Sequence, residues 1–329
     1  MKVFRTVVLL VHLVLLFLLL GMLLNAYVPP KVFPFFNLLS LGFPILIIGY
    51  ILITLYWIVY WKKRALFFLV AGFLFLNPTK RWVNLSSTPT EKSNLKIVTF
   101  NVKGGQMGID KIEEYIKQQN ADIVLLQEDG GNRFNFNNLK KGEHIPVVSL
   151  YTKLKILDHK NILTGNFEDI NAYSDYTDVE VEGKPIRIIN MYLQPFKFEK
   201  SKVKLNGNSE EDEAKLKYVI KKLIPTFKIH QEQVAIIRKA IEDSPYPVIV
   251  TGDFNSVPNS YEYYHIGDGL LDSFFEVGNG FGTSFHDYKF PLRIDFIFSS
   301  PSILPIHHHV DRSTKLSDHF PTSATFYVK

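Results

Sequence analysis

Residues 247–255 read PVIVTGDFN, an apolar run that ends abruptly in a carboxylate, Asp253, and a carboxamide, Asn255. An unbroken apolar run of this length reads as a buried strand, and polar side chains on the turn leaving it are placed to converge on a ligand. Residues 316–326, LSDHFPTSATF, set a carboxylate, Asp318, beside an imidazole, His319, just before a closing strand. Two earlier strand-like segments also end in polar groups: FNVKGG in Asn101 and LLQED in Glu128. Taken singly, each has an ordinary explanation as a turn residue, an exposed strand end or a cap. Together and in this order, with Asp295 of RIDFIF behind them, they are the groups needed for metal-assisted attack of water on a phosphate ester.

The elements that must position these residues follow from periodicity. LKIVTFNV and ADIVLLQE read as strands, with IDKIEEYIKQQ between them as an amphipathic helix that turns Ile109, Ile112 and Ile116 inward. Further strands are expected at IPVVSLYT, TDVEVEG, IRIINMYL, PVIVTGDFN, RIDFIFSS and SATFYVK. So many strands with few helices point to an α+β fold of two packed sheets. Between residues 196 and 228 lies a Lys- and Glu-rich insertion with Leu216, Val219, Ile220 and Leu223 at helical spacing. It reads as a surface helix with one buried stripe, or as a lid over the site or an element on a membrane surface.

The chain is 329 residues long, and its first ninety contain no Asp or Glu. Apolar segments over about 7–24 and 38–61 are long enough to span a bilayer. A third, residues 65–76, reaches span length only if it continues tilted through Trp82 to about residue 83. Residues 1–85 thus read as a membrane anchor of two or three transmembrane helices, 86–94 as a polar linker (SSTPTEKS) and 95–329 as the catalytic domain. Lys2 and Arg5 precede the first span and Lys62, Lys63 and Arg64 crowd the second turn, so the positive-inside rule puts both in the cytoplasm. Three spans then place the catalytic domain outside the inner (cytoplasmic) membrane of a multi-pass protein; two would leave it inside. Six of the 37 basic residues precede residue 80, so the rest carries 31 against 32 acids, a near-neutral domain with no net attraction for a polyanion. The absence of cysteine excludes disulfides and thiol chemistry.

From about residue 95 to the end, the ordered set Asn101, Glu128, Asp253-x-Asn255, Arg293-x-Asp295 and Ser-Asp318-His319 resembles the endonuclease/exonuclease/phosphatase (DNase I-like) superfamily. SPYPVIVTGDFNSVPNSYEYY with PLRIDFIF looks like its membrane-anchored bacterial branch. The resemblance implies a four-layer α/β/β/α sandwich and a metal-dependent phosphoric ester hydrolase, with the site at one rim of the sheets. It further implies Mg2+ or Mn2+ on Glu128 with Asn101 beside it and Asp318 as a further ligand. Asp253, held by Asn255, would activate the water; His319, oriented by Asp295, would stabilise the phosphate. Asn190 and Arg293 would contact substrate. Two positions depart from the pattern: NMYL has Tyr192 where many members have His, and Lys103 stands where DNA-repair members have a second metal carboxylate. Tyr192 is then a phosphate or leaving-group donor, or a core tyrosine. The substrate stays open between nucleic acid and a phospholipid or small phosphate ester, with a catalytically inactive binding module as the alternative. The run His307–His309 reads as a solvated strand edge, because alternate strand residues face opposite ways, and His12 and His230, the latter near a helix start, read as structural.

Overall fold

The structure, a computed structural model, describes residues 2–86, 89, 91–142, 147–164, 171–199, 207, 209–287 and 292–329. The two longest apolar segments form α1 (Lys2–Leu23) and α2 (Phe35–Tyr60), packed against each other. Both are long and apolar enough to cross a membrane. The third segment is not one continuous span but three short pieces: α3 (Lys62–Gly72), a 3-10 turn at Phe73–Phe75, and α4 (Leu76–Lys80). Pro78 lacks an N–H and is tolerated in a first helical turn, so a new helix starts just before it. The pieces nevertheless retrace α2, since Phe68 and Phe75 both meet Tyr50 and Trp82 stacks near Phe43. The basic turn at 62–64 therefore lies at the same end as Phe4, which meets Tyr56. Residues 24–34 and Trp82 lie at the other end. His12 is wholly buried in this bundle, stacked on Phe68 and accepting from Trp57 Nε1 at 3.2 Å, which gives it a structural role.

After these N-terminal helices come β1 (Val83–Leu85), β2 (Leu95–Asn101), α5 (Ile109–Gln119), β3 (Ile123–Gln127), β4 (Lys140–Lys141), β5 (Val148–Thr152), β6 (Lys155–Thr164), β7 (Tyr173–Val181) and β8 (Lys184–Tyr192). The chain continues through α6 (Ser209–Glu242), β9 (Val248–Asp253), α7 (Tyr261–Ile266), β10 (Leu271–Asp272), α8 (Ser273–Val277), β11 (Asn279–Phe281), β12 (Asp295–Ser299), β13 (Ile303–Val310) and β14 (Thr322–Val328). Two six-stranded sheets result, ordered β10-β12-β9-β8-β7-β6 and β13-β14-β2-β3-β5-β4. Their inner faces meet through alternate apolar residues such as Ile97, Leu125, Ile188, Ile249, Ile297 and Phe326. Ile112 and Ile116 of α5 cover one outer face, and Val234, Ile237 and Ile241 of α6 cover the other. This is the expected four-layer sandwich.

Each sheet contains one parallel pair, β2–β3 joined through α5 and β8–β9 joined through α6. Parallel strands need such a crossover, and it brings the C-terminal ends of both strands to the same rim. Gly252 permits the second pair: a Cβ there would lie 2.0 Å from Met191 O, and its φ is +135°. The helix predicted inside the 196–228 insertion is longer than expected and runs unbroken to Glu242, so His230 sits in mid-helix rather than near a start. Part of the expected linker lies outside the described residues, and β1, just before it, already pairs with β11, Val83 opposite Phe281. The histidine run lies on β13 and alternates as expected, His308 buried against Ser273 and His307 stacked beside His309 on the other face.

Candidate active site

The register of the two parallel pairs dictates which side chains meet. Asn101 is opposite Gln127, so Glu128 emerges beside it, and Tyr192 is opposite Asp253. Asp295, the first residue of β12, is opposite Asp253 on its other side, and His319 is bridged to Phe285 just before β14. Asn101 Nδ2 donates to Glu128 Oε1 at 2.9 Å and to Asp253 Oδ2 at 3.0 Å, tying the two sheets' rims together. Tyr192 Oη donates to the same Glu128 Oε1 at 3.0 Å. Asn255 holds Asp253 through its backbone N–H, 2.8 Å from Oδ1, and anchors itself by donating Nδ2 to Leu193 O. Asp295 Oδ2 lies 2.8 Å from His319 Nδ1, which leaves Nε2 pointing at Asp253 Oδ2 across 3.6 Å. Three non-glycine residues here, Lys103, Glu128 and Asn255, have positive φ of 46°, 49° and 44°. Such strain persists only where the surroundings enforce it and gathers at functional sites.

Burial and charge set the protonation states. Burial pushes the Asp253 carboxyl up to about 7, against the pull of His319. Burial alone would discharge His319, but Asp295 and Asp253 outweigh it and raise the imidazole to about 10, so the ring is a cation at neutral pH. Burial, then Glu128, keeps the Tyr192 phenol protonated and therefore a donor.

Two expected site residues lie away from the site, and a third, Asp318, lies in it but is paired with a lysine. Asn190 lies between the sheets, accepting from Gln127 Nε2 at 2.7 Å and donating to Leu126 O and Ser149 O; its amide is spent on joining the sheets, because its position on β8 faces inward. Arg293 is 1% exposed, doubly bonded to Asp272, donating to Arg81 O and lying over the Phe274 ring, so it braces the loops beside the N-terminal helices and is not open to the cavity. Asp318 is ion-paired with Lys103, which also lies 3.7 Å from Asp287. The Lys103 ammonium holds the Asp318 carboxyl below its usual range despite burial. Asp287 was not picked out in the sequence, where FHDYKF carries no motif. Lys103 was visible only as a departure.

These groups form the polar end of a cavity of about 670 Å³. Glu128, Asp253 and His319 line it together with Lys103, Asp287 and Asp318. Around this end, among the described residues, five carboxylates (Glu128, Asp253, Asp287, Asp295, Asp318) face two cations (Lys103, His319). That excess of negative charge, and a partly exposed Glu128 carboxylate at its centre, fit a hard divalent cation that keeps several waters.

The sequence model of the Endonuclease/Exonuclease/phosphatase family matches residues 98–319, and a domain of unknown function (DUF8431) matches residues 5–82. No curated protein gives a significant match. Among solved structures, a humanized D. rerio TDP2 superposes with TM-score 0.52 at 18% identity, over 70% of this chain and 98% of that one. D. rerio TDP2 complexed with a single-strand DNA product gives 0.51 at 16%, over 70% and 98%. An endonuclease/exonuclease/phosphatase from Bacteroides vulgatus gives 0.52 at 20%, over 72% and 100%. At these identities the likeness is one of fold.

Proposed function

The chain belongs to the endonuclease/exonuclease/phosphatase family, and on that premise we propose that it is a membrane-anchored, Mg2+- or Mn2+-dependent phosphoesterase that cleaves its substrate by water attack. The observation that carries this reading is the convergence of Glu128, Asp253 and His319, from three distant strand ends, on one cavity. Glu128 and Asn101 would hold the cation, which when bound neutralises a phosphate oxygen and the charge developing on the leaving group. Asp253, fixed by the Asn255 N–H, takes the proton of the attacking water. His319 donates Nε2–H to a phosphate oxygen as phosphorus becomes five-coordinate, and the protonated ring, positioned by Asp295, offsets the added charge. Tyr192 keeps Glu128 in place and offers a hydroxyl at the same edge.

Membrane anchoring is supported by α1 and α2 and by the retracing path of α3 and α4, which leaves the basic N-terminus and the 62–64 turn at the end away from the catalytic domain. The test uses the full chain in detergent with bis(4-nitrophenyl) phosphate. Turnover should require Mg2+ or Mn2+, and His319→Ala and Glu128→Gln should each lower kcat by about 10²–10³-fold. A folded chain with no turnover in any divalent metal would leave a binding module in its place, and variants as fast as the parent would remove His319 and Glu128 from the chemistry.

A further inference from the structure

The cavity that holds the catalytic groups at one end has hydrocarbon walls at the other, and one of those walls belongs to the anchor. Leu38, Leu41 and Ile45 of α2 line it from one side. Leu216, Ile220 and Leu223 of α6 line it from another, at the i, i+4, i+7 spacing of a single helix face. Ile45 is 65% exposed and Leu216 57%, so the apolar trough opens outward rather than closing into a core. Its position is built in. Asn37, in the first turn of α2, donates to the Glu262 carboxylate and accepts from Tyr261 N at 2.8 Å. Glu262 is in turn 2.7 Å from His230 of α6, whose other ring nitrogen is 2.7 Å from Gln194 O. Asn37, His230 and Glu262 are all essentially inaccessible to solvent. This buried knot locks the anchor helix, the insertion helix and the loop after β8 around the site.

The length of α2 says what the trough opens onto. Its 26 residues extend about 39 Å at 1.5 Å per residue, about 9 Å beyond a hydrocarbon core of about 30 Å. That surplus, roughly six residues, is the stretch carrying Asn37 and Ser40, and it puts Leu41 and Ile45 at the edge of the bilayer. Building on the phosphoesterase reading, we infer that the substrate is a phosphate ester of a membrane lipid. Its headgroup phosphate sits at Glu128, Asp253 and His319, and its hydrocarbon chain lies between α2 and α6. A nucleic acid offers nothing to fill such walls, and the near-neutral domain offers a polyanion no net attraction.

The test uses the full chain in phospholipid nanodiscs with alkyl 4-nitrophenyl phosphates from methyl to dodecyl. The parent is compared with Leu41→Asn and Ile220→Asn in identical discs, so that substrate partitioning cancels. Each methylene buried in the trough contributes roughly fourfold in kcat/KM. The variant-to-parent ratio should therefore fall as the chain lengthens, by about tenfold or more between methyl and dodecyl. A second measurement needs neither turnover nor intact variants: a dodecyl phosphate with a terminal diazirine should label residues 216–223 of α6. A constant ratio along the series, or labelling that misses α6, overturns the lipid assignment while leaving the phosphoesterase standing. Plasmid nicking that is lost in His319→Ala, together with a constant ratio, assigns the site to nucleic acid. No turnover of any ester by folded, metal-supplied protein sinks the phosphoesterase reading itself, and the substrate assignment with it.

Discussion

At the scale of single residues, Tyr192 is the most informative departure from the pattern this chain resembles. Its hydroxyl donates to Glu128 Oε1, the carboxylate proposed to hold the cation, and burial with the adjacent negative charge keeps it protonated. A hydrogen bond to a charged group contributes about 1.5–3 kcal/mol. Removing the partner of a metal-binding carboxylate commonly weakens metal binding 10–100-fold. Tyr192→Phe should therefore shift the Mg2+ midpoint of activity upward by roughly 10–100-fold, with a smaller loss of kcat at saturating metal. A metal titration of parent and variant decides it. An unmoved midpoint with a raised KM would make the phenol a substrate contact, and no change in either would make it a core tyrosine. Asn190 teaches the converse. Two residues away on the same strand, it has the same polarity and an equal claim in the sequence, yet Gln127 and two backbone carbonyls consume it between the sheets. Polarity at a strand end marks a site; polarity one step inside it marks a buried network.

At the scale of elements, the strands that end in the site were legible because each is an apolar run broken by a polar residue, and β2, β3, β8, β9, β12 and β14 lie within a few residues of the expected segments. β6 was not, because KILDHKNILT is an edge strand whose charged residues obscure the alternation. The helical spacing followed in the sequence stops at Leu223, short of the true end of α6 at Glu242, and the contact of α2 with the site is not legible because Asn37 and Glu262 are 225 residues apart. That contact makes a pH prediction. Burial alone would raise the Glu262 carboxyl, but His230 and Ser256 win and hold it below its usual range; the same holds for Asp272, through Arg293. A depressed carboxyl contributes stability that is complete above its unfolded pKa of about 4 and is lost as pH falls through the lower folded value. The melting temperature should therefore be insensitive to these two groups from pH 7 to about 5 and decline below about pH 4. Glu262→Gln should flatten its share of that decline. Glu262→Ala, which strands buried His230 and Asn37, should cost on the order of 3–5 kcal/mol at neutral pH, read from denaturant titration in detergent. Parent-like stability for the alanine variant would show that the knot contributes nothing.

At the scale of the whole molecule, the path of the N-terminal helices would decide, under the proposed anchoring, which face of the membrane the site serves. α1 leads away from the basic N-terminus, α2 returns, and the broken third segment retraces α2 to Trp82, where β1 begins. If α2 crosses the bilayer, residues 61 and 82 must lie on opposite sides, whatever the local irregularity at residues 73–75. The basic residues at the two ends are not equivalent. Near the catalytic domain, Lys31 is paired with Glu232, and Arg81 donates to Asn259 and lies over Tyr263 and Tyr264. At the far end Lys2, Arg5, Lys62 and Lys63 are solvent-facing or half-exposed, and Arg64 lies over Trp57 and Trp61, indole rings suited to a membrane interface. Charges bound to the folded domain travel with it, so in the proposed membrane-anchored protein the orienting bias would come from the far end and would hold that end in the cytoplasm. A C-terminal alkaline phosphatase fusion, which folds only outside, should be active, and a C-terminal green fluorescent protein fusion dark. Replacing Lys62, Lys63 and Arg64 together with Gln should reduce phosphatase activity and give a fluorescent fraction. The reverse pattern for the parent would mean that the helical unit is inserted the other way round, with its basic end outside, and the trough between α2 and α6 would then open onto the cytoplasmic leaflet.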